Sequence, residues 1–114
     1  MANQAVAGAA TMNTLTVTGA GTTTGTMLNA DVVNLSSVNK TWADTAAEID
    51  ALLAGATGTF NGGVIVVGYD QATGNVALYY DADANTLGGV VQLATLTGVG
   101  NTSTLLANDF AFIV

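Results

Sequence analysis

The amino-acid sequence predicts a mainly β fold: an antiparallel sheet or sandwich with one short α-helix and an extended amino-terminal strand. Four apolar or alternating segments follow one another between residues 62 and 114 and are joined by short loops, which is typical of antiparallel strands. Only one segment has the spacing of an amphipathic helix. At 114 residues the chain suits a single domain with one hydrophobic core.

The amino-terminal segment, residues 1–28, has no charged side chain and consists mostly of Ala, Thr, Gly and Val. Within it, NTLTVTG at residues 13–19 alternates Leu15 and Val17 with threonines, which is the period-2 pattern of a half-buried strand. The glycines and threonines that follow are typical of a flexible turn. We therefore predict an amino-terminal arm over residues 1–28 and a single β-rich domain over residues 29–114.

The one clear helix is predicted at about residues 45–54. Its start, TAAE at 45–48, is a capping box, in which the Thr and Glu side chains satisfy backbone N–H groups of the first turn. Gly55 follows as a natural stop, and Trp42 is placed to pack against the first turn. The predicted core face is a stripe with helical spacing: Ile49, Leu52 and Leu53.

The strands are predicted from alternation and from apolar runs. DVVNLSSV at residues 31–38 is one such run. The turn that begins at Asp70 carries Gly74 where a hairpin needs a positive φ. In the strand after it, Tyr79 and Tyr80 must point to opposite faces, so at most one belongs to the core of a single face. The other strands are predicted at residues 62–70, 75–81, 89–98 and 110–114, and the first of these is apolar on both faces.

The composition excludes several classes of function. The formal net charge is −7 and Lys40 is the only basic side chain, so the chain has no basic patch for nucleic acid or for an anionic membrane surface. Because it has neither Cys nor His, it lacks the usual nucleophiles, general bases and zinc ligands, and we predict that it is not an enzyme. No run of 18 apolar residues is present, so no membrane insertion is predicted.

Acidic and amide side chains with alternate spacing suggest a calcium site. Asp81, Asp83 and Asn85 form a D-x-D-x-N pattern, and alternate residues of a tight loop can direct their oxygens at one Ca²⁺ ion. The pattern is not an EF-hand, because Thr86 and Gln92 occupy the positions of its Gly and its bidentate acid. The alternative is that these side chains form turns through local hydrogen bonds.

The same argument makes four further acids candidates for binding a cation. Asp70 is either a turn cap or another calcium ligand. The others are candidates for additional metal or interface sites: Asp31, Asp50 and Asp109.

Residues 69–114 resemble the carboxyl-terminal region of RTX-type (repeats-in-toxin) calcium-binding bacterial exoproteins, which include surface-layer proteins. The hairpin YDQATGNVALYYDAD, the strand ATLTG and the ending DFAFIV carry the resemblance. The chain departs from the family at Ala84, where Gly is usual, and in having no glycine-rich nonapeptide array. The residues that fit are Tyr69, Asp70, Thr73, Gly74, Leu78, Tyr80, Asp81, Asp83, Ala94, Leu96, Gly98 and Asp109.

The resemblance implies calcium at the hairpin and export by a type I secretion system that reads an uncleaved carboxyl-terminal signal. The amino end has no positively charged region or Leu-rich stretch of a cleaved secretory signal, which agrees with such a route. The protein would then be extracellular or at the surface of a bacterium. The residues implied as the signal are Asp109, Phe110, Phe112, Ile113 and Val114.

The leading hypothesis is a secreted, calcium-dependent structural protein that self-assembles head-to-tail into extracellular fibres or a surface layer. Residues of about 5–18, with Leu15 and Val17, would donate a strand to the sheet of the next subunit. The alternative is a monomeric calcium-binding module that acts in secretion and folding. A weaker idea is a carbohydrate-binding platform of aromatic side chains: Trp42, Tyr69, Tyr79 and Tyr80.

Overall fold

The computed structural model describes residues 6–19, 21–36, 45–70 and 72–113. They form a six-stranded sheet, a separate two-stranded sheet, one α-helix and two 3-10 turns. The elements are β1 (Val6–Ala9), β2 (Met12–Gly19), β3 (Thr22–Thr24), β4 (Thr26–Ser36), α1 (Ala46–Ala54), β5 (Thr57–Tyr69), β6 (Val76–Asp81), β7 (Val91–Leu96), the 3-10 turns Thr102–Thr104 and Ala107–Asp109, and β8 (Ala111–Ile113).

The large sheet is mixed. Its strand order is β3-β2-β4-β5-β6-β7, and β1 pairs with β8 in the small sheet. The predicted mainly β fold with one short helix is confirmed, and β5, β6 and β7 are antiparallel as expected. The prediction of a wholly antiparallel sheet is wrong, because β2, β4 and β5 are parallel to one another. Parallel neighbours need a crossover connection, and α1 lies in the one that joins β4 to β5.

The predicted helix is confirmed at both ends. The Thr45 hydroxyl accepts the Glu48 backbone N–H at 3.2 Å, and the Gly55 N–H donates to the Ala51 carbonyl at 3.1 Å. Gly55 also allows close packing, because a Cβ there would lie 2.8 Å from the Gly21 carbonyl oxygen. The predicted stripe Ile49, Leu52 and Leu53 is buried. Trp42 and Lys40 lie outside the described residues.

The predicted extended amino-terminal strand is not confirmed in residues 6–19 and 21–28, the described part of the predicted arm over residues 1–28. Where the chain is described, β1 and β2 are separate strands, and β2 lies inside the large sheet between β3 and β4. Leu15 and Met27 are fully buried and Val17 nearly so, which places this part of the chain in the common core. The predicted boundary at residue 28 falls inside β4, so no element ends there. Since β2 has a partner strand on each side, it is not available for donation to a neighbouring subunit.

The β5–β6 pair shows why one tyrosine is core and the next is not. Val66 lies opposite Tyr79, and Ile65 lies opposite Tyr80, so the two tyrosines lie on opposite faces. Tyr79 is fully buried and its hydroxyl donates to the Tyr69 carbonyl, whereas Tyr80 is 37% exposed. Residues on both faces of β5 are buried, as the apolar run predicted: Val64, Val66, Val67 and Tyr69.

The carboxyl-terminal segment is held against the large sheet by a buried polar cluster. The Thr102 hydroxyl donates to the Leu35 carbonyl at 3.0 Å, and the Asn34 amide donates to the Thr102 carbonyl at 2.8 Å. The Tyr69 hydroxyl lies 3.4 Å from the Thr102 hydroxyl. These bonds join β4 and β5 to the first 3-10 turn, across more than 30 residues of sequence.

Candidate calcium turn and open sheet edge

The candidate site is the turn of residues 82–90 that joins β6 to β7, together with Asp81 at the end of β6. Asp81 is only 1% exposed. Its Oδ1 accepts the Asp83 backbone N–H at 3.0 Å, which closes the first part of the turn. Its Oδ2 is buried and has no hydrogen-bond partner. Buried carboxylate oxygens normally have partners, so this atom is the one anomaly of the turn.

The other two predicted ligands of the turn already form hydrogen bonds within the chain. The Asp83 carboxylate accepts the Asn85 backbone N–H at 3.2 Å and the Thr86 hydroxyl at 2.9 Å. The Asn85 side chain accepts the Phe60 N–H at 3.0 Å and donates to the Phe60 carbonyl at 3.1 Å. Asp83 therefore shapes the turn, and Asn85 fastens the turn to β5.

Asp70 does not join this site, because it lies at the opposite end of β6. Six residues of β6 separate the two hairpin ends, a distance of roughly 17 Å at 3.3 Å per residue. The Asp70 carboxylate accepts the Thr95 hydroxyl at 2.9 Å, the Ala72 N–H at 2.9 Å and the Gln92 amide at 3.3 Å. The bond from Thr95, followed by that from Ala72, lowers the pKa of Asp70 below its ordinary value.

The three acids predicted as additional metal or interface residues also bind backbone N–H groups. Asp31 accepts the Thr11 N–H at 3.0 Å, Asp109 accepts the Leu106 N–H at 2.8 Å, and both oxygens of Asp50 accept the Gly88 N–H. In the described parts of the chain, no three acidic side chains gather where they could hold one metal ion. Asp70 therefore does not lie with Asp81 and Asp83 as a group of three acids around one position.

A small cleft lies beside the turn, between α1, the start of β5 and residues 84–87. Its volume is about 260 Å³, and its walls include Leu53, Phe60 and Leu87, with Asp50 at one side. Pockets for drug-sized ligands usually measure about 300–1,000 Å³, so this cleft lies just below that range. No local pattern in the sequence indicates this cleft, because its walls come from residues 50–60 and 84–87, which are more than 20 residues apart.

The strand that follows the turn is an open, apolar edge. β3 and β7 are the two edge strands of the described sheet. On β7, Val91 is 51% and Leu93 is 54% exposed, and the neighbouring Tyr80 on β6 is partly exposed as well. The segment VQLATL has no charge and no Pro, which are the usual devices that protect an edge strand from pairing.

Two other predicted sets of residues can be located only in part. The carbohydrate platform is wrong as predicted, because Tyr69 and Tyr79 are buried and cannot offer a ring face to a sugar. Of the implied secretion signal, Asp109 ends a 3-10 turn and Phe110 packs partly buried against the core. Phe112 and Ile113 lie in β8, and Val114 lies outside the described residues.

Comparison with protein-family models, with curated proteins and with solved structures found no match to this chain. The resemblance to RTX-type exoproteins therefore stays a prediction. Within the described part of the chain, no helix has the length and apolar character needed to cross a membrane.

Proposed function

We propose that this chain is a secreted structural protein that self-assembles head-to-tail, in a calcium-dependent manner, into extracellular fibres or a surface layer after type I export. The single observation that carries the proposal is the open edge strand β7, with Val91 and Leu93 more than half exposed. Exposed, flat, uncharged edges pair readily with strands of other chains. The occupant that we propose for this edge is a second copy of the same chain.

The strand directions favour a continuing assembly. β4 and β5 run parallel to β2, whereas β3 and β6 run opposite to it, so β7 again runs parallel to β2. The two edges, β3 and β7, therefore run in opposite directions. A copy shifted sideways along the sheet would place its β3 antiparallel to the β7 of its neighbour. Such a contact uses two different surfaces and repeats without closing, which gives a filament.

The charge distribution supports calcium dependence. Each copy carries a net charge of −7, so copies repel one another until cations screen or bind their carboxylates. Neither edge strand adds to this repulsion, because TTT in β3 and VQLATL in β7 are both uncharged. Calcium would thus lower the repulsion between copies without placing charge on the strands that pair.

Electron microscopy and sedimentation velocity of the purified chain, in calcium and in chelator, test the proposal. We expect fibres or sheets in calcium and smaller species in chelator. Leu93→Lys places a charge on the β7 edge and should abolish the assemblies. Leu106→Lys is the matched control, because Leu106 is 61% exposed but lies outside both sheets, and it should assemble normally.

Three outcomes would contradict the proposal. Compact monomers in both conditions would exclude assembly, and a monomer with a calcium-raised Tm would favour the monomeric secretion and folding module. A closed dimer of fixed mass would exclude the head-to-tail contact. Equal loss of assembly in both lysine variants would show that added charge, rather than the edge, is responsible.

A further inference from the structure

One carboxylate oxygen of the turn, Oδ2 of Asp81, is buried and has no hydrogen-bond partner. A buried carboxylate is unstable unless its charge is balanced and its lone pairs are used. Cationic side chains are scarce in this protein, because the sequence has one Lys and no Arg or His. A bound metal cation supplies both the charge and the missing bonds.

Gly89 lies beside this carboxylate and has no side chain to cover it. A Cβ added at Gly89 would lie 3.4 Å from Oδ1 of Asp81, and Gly89 has a φ of +91°, which disfavours any other residue. Residue 89 therefore leaves the Oδ1 side of the carboxylate uncovered. Residues 85–89 of the same turn are exposed, so the chain next to this carboxylate faces solvent.

We infer that Asp81 is the principal side-chain ligand of one Ca²⁺ ion in this turn, and that the ion fixes the end of the β6–β7 hairpin. Ca²⁺ accepts six to eight oxygens in irregular geometry, so Oδ2 can be joined by turn carbonyls and water, whereas Mg²⁺ demands near-octahedral ligands. Tyr80 and Val91 form the adjacent pair of the hairpin, so an ion next to them holds the start of the edge strand. Calcium would thereby control the edge by which subunits pair.

This inference deepens the proposed function, and only its link to assembly rests on that proposal. Calcium chloride titrated into the chelator-treated full chain should show one bound ion by calorimetry and a rise in Tm. Asp81→Asn should lose this rise and bind calcium at least about tenfold more weakly, since even indirect partners of a metal contribute that much. Asp70→Asn makes the same charge change at the far end of β6 and should keep both responses.

A second measurement covers the case in which Asp81→Asn does not fold. Tb³⁺, a luminescent substitute for Ca²⁺, should bind the wild-type chain, be sensitised by the tyrosines that precede Asp81 and be displaced by calcium. No calcium binding by the wild type up to about 10 mM, well above the usual 10⁻⁴–10⁻³ M range of extracellular sites, would overturn the inference. Loss of the Tm rise in Asp70→Asn as complete as in Asp81→Asn would overturn it too.

The two proposals fail in different ways. If calcium binds at Asp81 and raises the Tm of a chain that remains monomeric in microscopy, the site is supported and the assembly is not. If fibres form equally with and without calcium and calorimetry detects no ion, self-assembly is supported, but its calcium dependence and the site are not.

Discussion

Replacing Asn85 tests how the candidate turn is attached to the sheet. β6 pairs with β5 only from Val64 to Tyr69, so Phe60 lies beyond the end of this ladder. There the Asn85 side chain takes the place of a neighbouring strand, because its amide has the same acceptor and donor as a peptide group. It accepts the Phe60 N–H at 3.0 Å and donates to the Phe60 carbonyl at 3.1 Å.

The expected cost follows from these two bonds. Each contributes about 0.5–1.5 kcal/mol net, so Asn85→Ala should reduce the free energy of unfolding by about 1–3 kcal/mol. For a chain of this length, at about 4 °C per kcal/mol, the Tm should fall by about 4–12 °C. Asn85→Asp should cost at least as much, because a carboxylate accepts the N–H but faces the Phe60 carbonyl without a proton to donate.

Thermal unfolding followed by circular dichroism measures this change, in chelator so that any calcium effect is removed. Asn108→Ala is the control, because Asn108 is exposed. Its free energy of unfolding should stay within about 0.5 kcal/mol of the wild-type value. If Asn85→Ala unfolds like this control, Asn85 does not act as a substitute strand. If Asn85→Asp is as stable as the wild type, the donated bond to Phe60 contributes nothing.

Two further predictions concern polar side chains remote from the turn. Hydrogen bonds from Thr95 and the backbone lower the pKa of Asp70 below its ordinary value of 3.8. The ionised Asp70 side chain therefore stabilises the fold fully above pH 3.8, and this stabilisation is lost as the pH falls through the lower pKa of the folded state. Asp70→Asn should therefore have a lower Tm than the wild type at pH 6, and the difference should vanish well below pH 3.8; a constant difference would contradict this. Thr102→Val removes the buried hydroxyl that donates to the Leu35 carbonyl and should cost about 1–3 kcal/mol. Urea unfolding should show a lower midpoint at an unchanged slope, and an unchanged midpoint would refute the role of this cluster.

The parts of the fold that the sequence predicted are those with local causes. The helix is specified by a cap, a stripe and a stop that lie within eleven residues, Thr45 to Gly55. The faces of β6 follow from alternation alone, which separates Tyr79 from Tyr80. Parallel pairing of β2 with β4 has no such local signal. An alternating strand has the same pattern whether its partner is in its own chain or in a neighbour, so the sequence was consistent with an arm.

The D-x-D-x-N spacing predicted either a turn or a calcium site, since turn-forming and ion-binding residues are of the same types. The structure has a turn there, and the calcium site stays a prediction. The spacing did not reveal that Asn85 binds Phe60 or that Asp50 binds Gly88, because these contacts span 25 and 38 residues. Nor did it separate Asp81 from Asp83. That distinction depends on burial, which spacing does not determine.

The aspartates together explain why a chain of such charge can fold with so few cations. All six in the described residues accept a backbone N–H: Asp31, Asp50, Asp70, Asp81, Asp83 and Asp109. Charge-assisted bonds to N–H groups stabilise an exposed carboxylate without a counter-ion, so most of these acids do not require calcium. Asp81 differs because it is buried and its second oxygen has no hydrogen-bond partner. The number of acids therefore overstates the number of ligands, and burial, rather than net charge, singles out the residue on which calcium dependence should rest.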